Sequence, residues 1–203
     1  MHPDTMRLID RWVGIPLCFF ASFWPLKKAQ ADSNSTLATN IPPPDTIVFI
    51  LIAEIGALVV AYPAIKETRK QHPKSRICFI TAPAGLQTLE LMGFEKEDIF
   101  LLETSSIKSL LKGIVNIRSH FKGKRVSAIV LEPFTRFSTL LSAWIGASKR
   151  IGCYRFLNEG VYLGNILTHR LVYNPHLHIS QTYFALAKAL IEPDSAKPLL
   201  KEY

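Results

Sequence analysis

From Ile47 to Ile52 the chain is an unbroken apolar run rich in β-branched residues, without polar alternation. That is the pattern of a parallel strand covered on both faces. Through Ala53, Glu54, Ile55 and Gly56 the period becomes helical, with Ile55, Leu58, Val59, Tyr62 and Ile65 sharing one face. Arg69, Lys70 and His72 then stand where cations oppose a helix dipole, and Pro73 stops the helix. The same alternation continues downstream. Strands are expected over Arg76–Thr81, Ile99–Glu103, Val126–Leu131 and Arg150–Tyr154. Helices are expected over Ala84–Met92, Ile107–Phe121, Phe134–Ile145 and Ile179–Ile191. In the second of these, Ile107, Leu110, Leu111, Ile114, Ile117 and Phe121 form the inward face, opposite Lys108, Lys112, Arg118 and Lys122. In the third, Phe137, Leu140, Leu141 and Trp144 point inward. Strands and helices alternating at this pitch predict an α/β, Rossmann-like open parallel sheet with helices on both faces.

The pattern also divides the chain. Residues 1–30 form a hydrophobic and basic segment: Trp12 to Leu26 is apolar, preceded by Arg7 and Arg11 and followed by Lys27 and Lys28. Its fifteen residues, interrupted by Gly14, Pro16, Ser22 and Pro25, fall short of the roughly 20 that span a bilayer. Five aromatics with flanking cations suit a segment lying in the membrane interface or packed as a hairpin. The competing reading is a secretory signal, for which Ala29-Gln30-Ala31 resembles a cleavage site. Lys27 and Lys28 count against it. Residues 31–45 are a polar, proline-rich linker, residues 46–192 the folded domain, and residues 193–203 the start of a further linker.

Composition sharpens this picture in one respect. The 203 residues carry a net charge of +8, yet ten Lys/Arg and one acid, Glu132, lie between Thr104 and Leu157. The remainder of the chain is close to neutral. A focused basic field suits an anionic partner, such as a phosphorylated sugar, a nucleotide or an acidic lipid surface. Nucleic acid fits less well, because no aromatic platforms are interleaved with these cations. Cys18, Cys78 and Cys153 are far apart in apolar contexts, which reads as buried free thiols.

Ligands of open α/β sheets bind beyond the carboxyl ends of the strands, and four places there carry chemistry. At the first turn, Gly56 allows close approach to a helix N-terminus, with Ala57 beside it, and helix N-termini attract anions. Glu54 there serves either as a general base or hydroxyl ligand, or only as a favourable charge on the dipole. The second is Glu132 to Arg136, where the acid and the base either pair with each other or meet a sugar-like substrate. The third is Arg155 to Gly160, with Asn158 and Glu159 as hydroxyl ligands. The fourth holds His169, His176 and His178, but no acid or cysteine ligand lies near them, so no metal is assigned. The chain has neither a GxGxxG nor a Walker pattern, and no nucleophile elbow.

Taken together, these segments resemble the N-terminal half of glycosyltransferase family 9, the ADP-heptose:lipopolysaccharide heptosyltransferases. The resemblance is carried by Ile9 to Pro16, Ala53 to Leu58, Tyr62-Pro63, Arg136 to Ser138, Lys149 to Gly152, Asn158 to Gly160, Thr168-His169, Tyr173 to His176, and His178. It implies the N-terminal domain of a GT-B, inverting transferase. In such enzymes this domain takes the acceptor, and a C-terminal domain takes most of a nucleotide-sugar donor such as ADP-heptose. It further implies a lipid-linked saccharide acceptor, no required cofactor or metal, and a place on the cytoplasmic face of the inner membrane.

Two features depart from the family pattern. Ala57 stands where the family carries an aspartate that is its presumed base, which leaves Glu54 as the candidate. Leu51 stands where a lysine is common. The chain is also expected to need a donor domain beyond Tyr203. The alternatives are therefore half of a transferase, with Gly56, Ala57, Glu132, Arg136, Asn158, Glu159, His169 and His176 at the substrates, or a non-catalytic Rossmann-like binding module.

Overall fold

A computed structural model describes residues 12–23, 43–156 and 161–191. Six strands form one all-parallel sheet in the order β3-β2-β1-β4-β5-β6. They are β1 (Thr46–Ile50), β2 (Arg76–Thr81), β3 (Ile99–Leu101), β4 (Val126–Val130), β5 (Lys149–Phe156) and β6 (His169–Tyr173). The helices are α1 (Gly14–Phe23), α2 (Ile55–Gln71), α3 (Leu86–Leu91), α4 (Ile107–Phe121), α5 (Arg136–Trp144) and α6 (Ile179–Lys188). The predicted Rossmann-like α/β class is what the chain adopts.

The buried strands alternate their side chains between two cores. Ile47, Phe49, Phe79, Ile129 and Ile151 point to the face covered by α2, α3 and α6. Val48, Ile50, Ile80, Ala128 and Val130 point to the face covered by α4 and α5. Cys18, Cys78 and Cys153 are buried thiols outside any disulfide, as the sequence suggested.

Element boundaries moved for identifiable reasons. β1 ends at Ile50 rather than Ile52, because the amides of Ile52 and Ala53 leave the ladder for the carboxylate of Glu132. The predicted Phe134–Ile145 helix begins only at Arg136, because Phe134 holds a left-handed φ of 60° that no α-helix accepts. β6 corrects the reading of residues 169–173 as loop. Its His169, Arg170 and Tyr173 hid a strand that pairs with β5 alone at the sheet edge.

The expected apolar faces also rotated. In α2, Ala61 and Ala64 join Leu58 and Ile65 against the core, and Ile55 and Val59 turn outward. In α4 only Ile117 and Phe121 are buried, with Leu110 and Ile114 half-covered, while Ile107 and Leu111 face solvent. In α5, Leu141 is buried but Trp144 lies at the surface, its ring under the Arg118 guanidinium at 4.7 Å.

α1 packs against α5. Its buried positions are Gly14 and Cys18, and the Ser22 hydroxyl accepts from the Asn165 amide at 3.0 Å. Gly164, with φ 58°, makes this seat possible: a Cβ there would lie 2.0 Å from Ser22 Oγ and 2.7 Å from the Cys18 carbonyl. Within the stretch read as an interfacial segment or a packed hairpin, Gly14–Phe23 is thus a short helix packed on the domain, and residues 24–26 lie outside the described residues. Among the described residues no helix is long and apolar enough to cross a membrane.

Candidate functional site

The carboxyl rim of the sheet is organised by Glu132. Its Oε1 accepts from the amides of Ile52 at 2.8 Å and Ala53 at 2.6 Å, and its Oε2 accepts from the Ser138 hydroxyl. The side chain is buried. A carboxylate so enclosed persists only because its lone pairs are filled by donors. Glu132 therefore clasps the β1–α2 turn to the β4–α5 turn, and it does not pair with Arg136. Arg136 instead donates from Nε to the carbonyl of Tyr162 at 3.1 Å, tying the start of α5 to the chain that leads into β6.

The clasp presents the β1–α2 turn in one conformation. Glu54 takes the N-cap position of α2 with extended backbone (φ −122°, ψ 99°), and its side chain makes no capping hydrogen bond. Its carboxylate is exposed. The first-turn amides of a helix lack acceptors within it, and nothing lies within 4 Å of where a Cβ of Gly56 would stand. The turn therefore combines a solvent-facing carboxylate, unoccupied space over Gly56 and the positive end of a 17-residue helix. Ala57 is half-buried and rests against the core under α2.

Beside this turn lie groups that sequence reasoning missed. Tyr183 of α6, which reads as a core position, is buried beneath the rim. Burial first, then the charge of Glu54, and after these Cys153, Glu132 and Tyr173, push its phenol up to about 12. It remains a neutral O–H near two carboxylates. Phe134 stands in the strained turn after β4 and meets the Tyr173 ring edge-on, with centroids 5.6 Å apart. Non-glycine residues at positive φ gather where a turn has been shaped for something other than stability. A φ value leaves no trace in local sequence, so only the position of Phe134 beyond a strand end pointed to it.

The remaining predicted site residues are dispersed. His169 lies fully buried within the sheet, level with Phe49 through the registers of β5 and β4, its Nδ1 3.0 Å from the Thr168 hydroxyl. It supports the sheet below the rim. His176 is exposed in a turn closed by its own amide donating to Asn174 Oδ1 at 2.9 Å. His178 caps α6, accepting at Nδ1 from the Ser180 amide at 3.3 Å. Asn158 and Glu159 lie outside the described residues. Among the described residues no group of three or more His, Cys, Asp or Glu is placed to hold a metal ion. A cleft of about 510 Å³ opens elsewhere, between β3 and α4, lined by Phe100, Leu101, Asn116 and His120. It contains no carboxylate and does not reach the rim turns.

No family model matches this chain, and no curated protein matches it. Solved structures do. The E. coli heptosyltransferase WaaC with ADP-2-deoxy-2-fluoro heptose aligns over 75% of this chain at a TM-score of 0.56 and 10% identity. The same enzyme with ADP aligns over 75% at 0.55, again at 10% identity. What they share is the fold. This chain spans about half the length of WaaC, 50% and 49% of it in the two structures. One of these WaaC structures holds ADP-2-deoxy-2-fluoro heptose and the other ADP.

Proposed function

We propose that this domain is the acceptor-side half of a GT-B glycosyltransferase. The reaction would move a sugar from a nucleotide-sugar donor, such as ADP-heptose, to a lipid-linked or lipopolysaccharide-type acceptor. The observation that carries the reading is the β1–α2 turn: an exposed carboxylate, Glu54, held beside an open helix N-terminus by a buried clasp. Inverting transfer needs a base at the acceptor hydroxyl and positive potential at the departing diphosphate. Glu54 is the group free to remove the proton, and the amides over Gly56 face where negative charge would gather. Donor and acceptor must also be held in line, which a second domain across the rim would accomplish. The fold shared with heptosyltransferase WaaC supports this assignment.

A second reading, a non-catalytic Rossmann-like binding module, is favoured by Ala57, an inert side chain resting on the core where the family pattern has an acid. One experiment addresses both. Adding a deacylated lipopolysaccharide core oligosaccharide to the labelled chain should shift the amide resonances of residues 53–57 and 132–136. A Glu54→Gln variant that binds equally well but transfers no sugar, once a donor domain and ADP-heptose are supplied, supports the transferase. Transfer undiminished in that variant removes Glu54 as base. An unchanged spectrum at any oligosaccharide concentration overturns the acceptor assignment.

A further inference from the structure

α2 and α6 follow β1 and β6, so both begin at the carboxyl rim, and they pack against each other. That packing sets Tyr183, in the second turn of α6, beneath the turn that carries Glu54. Tyr183 is only 2% exposed, yet its O–H makes no hydrogen bond to any described residue. A covered donor without an acceptor costs stability, so its place calls for a reason. The groups whose charge reaches the phenol locate it: Glu54 and Glu132 from the two turns, and Tyr173 from the end of β6. An unpartnered donor thus stands near the solvent-facing carboxylate of the rim without bonding to it.

Two aromatic rings adjoin this pair. Tyr173 packs against the core cluster that contains Tyr183. Phe134 meets Tyr173 at 5.6 Å with the ring planes 86° apart, so the two make a floor and a wall. Both are half-buried, and Phe134 takes its place only through a φ of 60°. A flat ring held there against backbone strain is a shape built for a ligand. Charge and hydrogen bonding select which one. A phosphate would meet the carboxylates of Glu54 and Glu132. An uncharged pyranose instead offers C–H groups to the electron-rich face of a ring, and adjacent hydroxyls that can donate and accept. We infer that Glu54, Tyr183, Phe134 and Tyr173 form a subsite for one uncharged pyranose ring of the acceptor. One of its hydroxyls donates to Glu54, the neighbouring hydroxyl accepts from the Tyr183 O–H, and the sugar ring rests in the aromatic corner. This rests on the acceptor-side reading and names the part of the acceptor that the rim holds.

Titration of the full chain with the deacylated core oligosaccharide, read from isotope-labelled tyrosine side chains, tests this. The Tyr183 Cζ resonance should move with occupancy, and inorganic phosphate should leave it in place. Tyr183→Phe removes an oxygen that bonds no described residue, so it should keep the parental melting temperature at neutral pH. It should nevertheless bind the oligosaccharide about fivefold more weakly, the worth of one hydrogen bond. Phe134→Leu keeps apolar bulk at the same φ but loses the flat face, and should weaken binding about threefold. The Cζ shift is read in the parent chain, so it carries the test even if a variant fails to fold. Parental affinity in both variants overturns the subsite and leaves the acceptor reading standing. So does a Tyr183 resonance that phosphate moves and the oligosaccharide does not. A parent chain that binds no oligosaccharide overturns both.

Discussion

The β1–α2 and β4–α5 turns leave neighbouring strands at the same end of the sheet, and each carries one glutamate. Glu132 gives both oxygens to donors and is buried; Glu54 gives neither to its helix cap and is exposed. The difference assigns them opposite work. A carboxylate whose lone pairs are saturated fixes geometry and is ill placed to take a proton. One left open to solvent adds little to stability and remains available for a substrate. Structural and chemical tasks that a single acid could not combine are divided between two turns, and the rigid one shapes the reactive one.

The strongest way to break this contrast is Glu132→Ala. It strands two amides and a hydroxyl, and should cost about 3 kcal/mol in urea unfolding, with faster exchange at the Ile52 and Ala53 amides. Loss below about 0.5 kcal/mol would show that the clasp is not what holds the turn. Glu54→Gln should be its mirror image. Stability should stay within about 0.5 kcal/mol of the parent, while sugar transfer in the completed enzyme falls at least 100-fold, the lower end of what a general base contributes. If unfolding shifted more than transfer, the division of labour would be refuted.

A smaller test probes the shape of the β4–α5 turn. Phe134→Ala loses the ring contact to Tyr173 yet keeps the cost of φ 60°, and should destabilise by about 1 kcal/mol. Phe134→Gly should recover much of that, because glycine meets no penalty at positive φ; two equal melting curves would argue that the turn is unstrained. The narrowest test, confined to strongly alkaline pH, concerns Tyr183. Its phenol is raised from an ordinary 10 to about 12, so the unfolded chain loses that proton first. Stability should therefore fall as pH climbs from 10 towards 12, and Tyr183→Phe should remove that slope. Glu54→Gln should shift the Tyr183 absorbance titration downward, since Glu54 is the largest contributor after burial. A titration unmoved by that change would separate Glu54 from Tyr183.

Sequence patterning revealed the sheet and most of its helices because buried parallel strands are continuous apolar runs. It also found the β1–α2 turn, where the unbroken apolar run gives way to period 3.6 within Ala53 to Gly56. The role of Glu132 was not legible in the same way. Its donors Ile52 and Ala53 lie about 80 residues upstream, whereas Arg136, four residues downstream, was the obvious local partner. β6 escaped because an edge strand needs no apolar run, and His169 and Arg170 read as surface chemistry. In α4, helical period located the apolar residues, but the sheet beneath has room for only part of that face, so Leu111 was left outside. Periodicity reports which residues share a side; tertiary packing decides which side is covered.

The narrow seam beneath α1 has a practical corollary. Cys18 is fully enclosed there, while Cys78 and Cys153 lie inside the sheet with thiols pushed up to about 12 by burial. At neutral pH those two are protonated and shielded, and only lifting of α1 uncovers a sulfur without unfolding the sheet. A slow thiol reagent should therefore modify the native protein once, at a rate set by how often that helix leaves its seat. The molecule carries its own clock for the opening of one joint, legible without any added label.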